Sequence, residues 1–389
     1  MNETCHLYKY MCFIIFTIPI TKIIDGFIPI MNTCVSISMV LLLTLYFVFY
    51  KYSGYIEKYN ITLLGAVYIL SLILAENKGF AIVEQLKWTL FILLIFLASD
   101  LNFISYMKDF FVKNITWIYN QLLICIGILI ISLFFNGSYT IIWEGRYLKS
   151  VFEEPHLFTA YLFYILALLI FINKYIHSKF KYILIATIMI LSLFTGARVI
   201  AISTILLFLL WLINNKEYKV IFILLIISIF IIIKFGDQIP LVEKFISSSQ
   251  NEYGGIMSGR DVFTIEDLKE YFRFSPMHLL VGKGIDYPNL FNKQTIGMYI
   301  YAHNDIINTL LSNGLIGLYL YLYGFFKLYR VHRKNIKKTS LIFLISIYFI
   351  NILLNGLFSY SSMVYAFILL LLFLASYDKD KSNILNTSK

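Results

Sequence analysis

Charge is what this sequence has least of for its length. Asp, Glu, Lys and Arg make up only 14% of 389 residues, against an apolar share of 60% and a mean hydropathy of +0.79. A soluble domain carries about 25% charged and about 45–50% apolar residues, so that class is excluded and an integral membrane protein is implied. Cysteine is scarce as well. Cys5, Cys12, Cys34 and Cys125 include no CxxC pair, which leaves neither a disulfide framework nor a metal site to expect. Also missing are a Gly-rich phosphate loop, an HExxH helix and a nucleophile elbow. No metal and no cofactor is therefore expected. No polar insert reaches domain size, so residues 1–389 read as a single integral membrane domain.

What the chain does have is one greasy run after another. A spanning helix needs ~20 mainly apolar residues. Twelve segments are candidates: 8–24, 30–50, 60–75, 86–106, 115–135, 157–173, 180–195, 198–214, 220–235, 303–326, 339–356 and 360–376. The first is interrupted by Pro19, Lys22, Asp25 and Pro29. The turn Thr195-Gly196-Ala197-Arg198 also reads as the break in one longer helix. The N-terminal run shows no clear small-residue cleavage site and is expected to remain as a helix.

Orientation follows from lysine and arginine. With the N-terminus inside, nineteen of the 32 basic residues fall in cytoplasmic segments, six in short outer segments and seven in the long loop and its flank. That imbalance predicts both termini in the cytoplasm. It also accounts for the formal charge of +10, which sits mostly in short loops facing anionic headgroups and does not call for nucleic acid. The expected fold is all-α: a polytopic bundle of about twelve transmembrane helices.

The one long polar interruption, 236–302, falls between the ninth and tenth spans and is expected outside. Ser258 is placed to cap a helix starting near Gly259. Val262, Ile265, Leu268 and Phe272 follow at roughly helical spacing, with Glu266, Asp267 and Glu270 between them, and Pro276 is expected to end the helix. A half-greasy helix outside the bilayer should lie along its surface, as a plug over the bundle or a lid over a lipid substrate.

Five outer residues are candidates for chemistry: Arg146, Glu154, Arg198, Arg260 and His303. Arginine's planar fork matches phosphate oxygens bidentately, and the abundant activated phosphates beyond a membrane are lipid-linked. His303 titrates near neutrality and suits a general base, with Glu154 as the second option. Each also has a plainer reading. Arg198 is a snorkelling helix-end charge, Arg146 a loop cation and Arg260 the partner of Asp261 or Glu266. His303 is an interface or capping histidine, and Glu154 a carboxylate at a positive helix end. Tyr319, Tyr321 and Tyr323 read as packing and interface belt, not as a sugar platform.

Thr195-Gly196-Ala197-Arg198, Ser258-Gly259-Arg260, Ala302-His303-Asn304 and Asn313-Gly314-Leu315-Ile316-Gly317 together resemble the O-antigen ligase/polymerase superfamily. Arg146 with Phe152-Glu153-Glu154-Pro155 resembles its Wzy-type repeat-unit polymerase branch. The resemblance implies a metal-independent, GT-C-like glycosyltransferase in a bacterial cytoplasmic membrane, acting at the outer face. The implied partners are an undecaprenyl-diphosphate-linked oligosaccharide donor and acceptor, the lipid bilayer, and a chain-length regulator. By motif, Arg198 and Arg260 hold the donor diphosphate and His303 takes the acceptor proton. Arg146 and Glu154 are assigned to the acceptor or to assisting the base. The equivalence of the first outer loop to the family's is not fixed by the motif.

Two rivals stand beside that reading. Within the superfamily it is an O-antigen ligase delivering glycan to a lipid acceptor. From another class it is a polysaccharide or solute transporter, for which broken helices and internal repeats are the signature. An assembly subunit with no active site is a third, predicting that the outer arginines are dispensable.

Overall fold

The computed structural model describes residues 2–50, 55–142, 145–176, 180–236, 239–243, 260–358 and 360–387. All twelve apolar segments are helical. We number them with the loop helices in chain order: α1 Asn2–Asp25, α2 Met31–Leu45, α3 Tyr55–Leu74, α4 Lys78–Ala98, α5 Leu101–Ser132, α6 Pro155–Ile172, α7 Lys181–Leu193, α8 Arg198–Asn214, α9 Tyr218–Phe235, α10 Arg260–Tyr271, α11 Pro276–Val281, α12 Tyr287–Ile296, α13 Asp305–His332, α14 Lys338–Leu354 and α15 Ser361–Thr387. Among the described residues six stretches are long and apolar enough to cross a membrane, including Lys78–Ala98 and Pro155–Ile172, and one of the six, Asp305–His332, is not a single straight helix. Five further apolar helices are shorter.

A helix that is apolar all round belongs inside a bundle. Accordingly α6 is buried along its whole length, and α4 and the apolar part of α15 are nearly so. α15 packs on both α6 and α4. α1 runs antiparallel to α6, and α14 to α8. Tyr161 reaches Pro19 and Tyr164 reaches Ile15, so the end of α1 meets the start of α6. Asn351 of α14 donates to Ser203 of α8, so the end of α14 meets the start of α8. His332 meets Ala98 at the opposite end of the bundle.

Two sequence expectations are corrected. α1 runs unbroken through Pro19. Proline removes the N–H that would serve Ile15 O, and the Tyr164 hydroxyl donates to that carbonyl instead at 2.6 Å. Segment 86–106 is not one span, because the chain turns at Ser99 and Asp100. Buried Asp100 caps α5 by accepting from Asn102 N at 3.0 Å, while Tyr8 and Tyr46 donate to its other oxygen. The helical expectation holds with one addition, an antiparallel hairpin of Tyr139–Ile142 (β1) and Gly145–Leu148 (β2) between α5 and α6.

The loop also departs from expectation. It holds three short helices among its described residues, and α10 ends at Tyr271, before Pro276. Pro276 instead opens α11 at the first helical position, where its missing N–H is harmless, with Ser275 as cap. Ser258 and Gly259, the expected cap, lie outside the described residues.

α13 is broken at Gly314, whose φ of 63° and ψ of −163° are not helical. Tyr321 hydrogen-bonds Asp305 at 2.8 Å, whereas sixteen residues of straight helix span about 24 Å. The chain therefore folds back at the break. The orphaned carbonyls of Leu311 and Ser312 accept from Lys283 N and Gly284 N at 2.9 and 3.1 Å. Only glycine fits at 314: the left-handed φ disfavours a side chain, and a Cβ would lie 2.3 Å from Leu280 O.

Candidate functional site at one end of the bundle

Arg146, Glu154, Arg198 and His303 all belong to the end of the bundle where α1 finishes and α6, α8 and α13 begin. The hairpin builds one side. Leu148 N donates to Phe194 O at 2.9 Å, strapping β2 across the α7–α8 turn. Thr195 shapes that turn, accepting from Thr159 at 2.8 Å and from Ala197 N at 3.3 Å. Gly196 has φ +63°, and a Cβ there would strike the Tyr147 ring at 2.4 Å. The Thr-Gly-Ala-Arg run is thus a fitted turn that fixes Arg198 as the first residue of α8.

Arg198 lies near Tyr147. Burial and the Glu243 carboxylate push the Tyr147 phenol's pKa up, and Arg198 opposes them. A cation at a helix N-terminus works against the macrodipole by about 0.3–1 kcal/mol, so helix stability does not explain an arginine there. Glu154 is the opposite case. It caps α6 without a side-chain capping bond, and a carboxylate is favoured at that end whether or not it does chemistry. Arg146 is exposed, with its guanidinium 4.1 Å over the Tyr139 ring and 3.4 Å from Asn136 Oδ1. The hairpin holds it by a cation–π contact.

His303 builds the other side. Expected as the first residue of a span, it stands just outside α13, whose cap is Asn304 accepting from Ile306 N and Ile307 N. Its φ is +53°, and its ring centre lies 4.4 Å from that of Tyr301. Tyr301 is anchored in turn, its hydroxyl donating to Asn355 O at 2.7 Å. A non-glycine residue at positive φ costs on the order of 1–3 kcal/mol and persists only where its surroundings enforce it. Tyr301 bonds the end of α14 at Asn355, and Asn351 of the same helix bonds Ser203 of α8, the helix that Arg198 opens. Arg260 opens α10, and its side chain lies outside the described residues.

Two carboxylates that the sequence reading passed over stand out. Asp305 is fully buried, with one oxygen accepting from Tyr321, Leu357 N and Phe358 N and the other without a hydrogen bond among the described residues. Asp267 is fully buried in α10, with the Asn292 side chain as its one hydrogen-bonding neighbour among the described residues. Burial pushes its carboxyl up to about 7, with Asn292 opposing. The available signal for Asp305 was its place two residues after His303 at the mouth of a span. Asp267 gave none, since it read as polar punctuation of an amphipathic helix. No group of three or more His, Cys, Asp or Glu suited to a metal occurs among the described residues.

No protein-family model, curated protein or solved structure matches this chain.

Proposed function

We propose that the protein is a glycosyltransferase of the repeat-unit polymerase kind, working on undecaprenyl-diphosphate-linked oligosaccharides at the outer face of a bacterial cytoplasmic membrane. The reading takes the twelve apolar helices as a GT-C-like frame with both termini cytoplasmic. Arg198 and Arg260 hold the donor diphosphate, His303 accepts the proton of the acceptor hydroxyl, and Arg146 and Glu154 serve the acceptor. A diphosphate already leaves well, so the demand is to neutralise developing negative charge, where one lost donor typically costs ~10²–10³ in rate. A positioned base adds ~10²–10⁴. One displacement with one base gives inversion at the anomeric carbon, and retention in the new linkage counts against it.

The observation that supports the reading is that Arg146, Glu154, Arg198 and His303 belong to one end of the bundle. In Arg260→Ala or His303→Ala cells, lipid-linked single repeat units should accumulate and long polymer should vanish, at unchanged protein level. Normal polymer in both variants ends the proposal. One feature favours a transporter as second reading, the broken helix at Gly314. On that reading the same variants stop export of repeat units instead of their joining.

A further inference from the structure

Helix α10 is inside out for a soluble element. It buries Asp267 and Tyr271 and exposes Ile265 and Leu268, and Phe272, whose N–H donates to Leu268 O just past the helix end, is 72% exposed. Those three positions share one face of a helix. In α11, which follows after a short turn, Met277 and Leu280 are exposed as well. Along the edge of the strip stand Lys269, paired at 2.7 Å with Glu266, and exposed Arg273. An apolar stripe edged by cations is what a helix lying in a membrane interface presents.

The strip is also continuous with the flank of the bundle. α11 packs on α3 and on α13. Leu280 O lies against Gly314, and Gly284 against Leu74 and Ala75 at the end of α3. Beside these contacts, Ile69 and Ile73 of α3 and Leu315 of α13 are exposed, as residues facing lipid would be. α11 therefore sits level with the outer ends of its neighbours and not above them.

We propose that α10 and α11 form an in-plane element seated in the outer leaflet, with Leu268, Phe272, Met277 and Leu280 among the acyl chains of the bilayer. The inference rests on the membrane-spanning reading of α3 and α13 and is independent of any transferase activity. It gives Arg260, at the start of α10, a place at headgroup level, where lipid-borne phosphates lie.

The test uses the full chain carrying Cys5→Ser and Cys34→Ser, since Cys12 and Cys125 are buried. Single cysteines at Phe272, Leu280, Ser275 and Ile73 are labelled with a nitroxide. The protein is reconstituted in phosphatidylethanolamine–phosphatidylglycerol vesicles, and collision with oxygen and with a water-soluble nickel chelate is measured. Labels at 272 and 280 should favour oxygen several-fold, as Ile73 does, and the label at 275 should favour nickel. If 272 and 280 favour nickel while Ile73 favours oxygen, the in-plane seat is wrong. If Ile73 favours nickel too, the membrane reading itself fails. Labels at 272 and 280 shielded from both reagents mean that protein covers the strip, which also overturns the proposal. So does oxygen access that appears only after undecaprenyl phosphate is added, since the occupant is then a prenyl chain. If Phe272→Cys fails to fold, Met277→Cys reads the same element.

Discussion

The carboxylate of Asp305 accepts the backbone N–H of Leu357 at 2.7 Å and so ties the mouth of α13 to the turn between α14 and α15. The same oxygen takes Phe358 N and the Tyr321 hydroxyl. Removing it leaves three buried donors unserved, each at about 1–3 kcal/mol. Asp305→Ala should lose about 3 kcal/mol or more, and Asp305→Asn less, because an amide oxygen still accepts. Thermal unfolding in detergent micelles checks this. Wild-type melting for the alanine variant rules the clamp out.

Gly314→Ala confronts a left-handed backbone and the Leu280 carbonyl at once. Strain of that kind costs about 1–3 kcal/mol before any clash is relieved. The easiest relief is to push α11 away, so limited proteolysis should cut the Gly282–Gly284 turn faster than in wild type. An unchanged cleavage rate would mean that the break tolerates a side chain.

Tyr164→Phe strands Ile15 O, the carbonyl that Pro19 leaves without a partner. Side-chain hydrogen bonds inside membrane proteins average about 0.6 kcal/mol and reach about 1.7, and an orphaned carbonyl argues for the upper end. The discriminating variant is Pro19→Ala. It restores an N–H to the helix, so Tyr164→Phe should cost less in that background. Equal costs in both backgrounds would contradict the substitution of one donor for the other.

Asp267 predicts a pH dependence for the loop. Its carboxyl rises from an ordinary value near 3.8 to about 7 when α10 is docked. Between those values the docked form holds a proton that the undocked form has lost, so docking weakens as pH rises. Docking is strongest below about pH 4, declines up to about pH 7 and is flat beyond. Hydrogen exchange of peptides from 260–296 should be faster at pH 7.5 than at pH 5 after correction for intrinsic rates. Asp267→Asn should abolish that difference. A difference that survives in the asparagine variant would assign it to another group.

The long helices were legible in sequence because hydropathy is a local property, and the chain alternates long apolar runs with short basic loops. What escaped depends on distant partners. The turn at Asp100 is held by Tyr8 and Tyr46, 92 and 54 residues away, and no window sees them. The break at Gly314 was read only as part of a motif, because the atoms that need a glycine there belong to Leu280 and Gly282. The hairpin was missed for a plainer reason: four-residue strands beside a run of helices give too little alternation to register. Of the site, the residue types were legible and their grouping was not. Nothing in the spacing of His303 and Arg198 shows that both stand at the end of the bundle where α14 finishes and α8 begins.

The tyrosine that serves Ile15 has a bearing on how the molecule is made. Donor and acceptor are 149 residues apart, which at about 5–20 residues per second is roughly 7 to 30 s of translation. Throughout that interval the first helix waits in the bilayer with a carbonyl that lipid cannot solvate. Biogenesis of the amino-terminal span is therefore unfinished until the sixth helix leaves the ribosome. Nascent chains stalled before that point should be the ones most readily extracted and degraded.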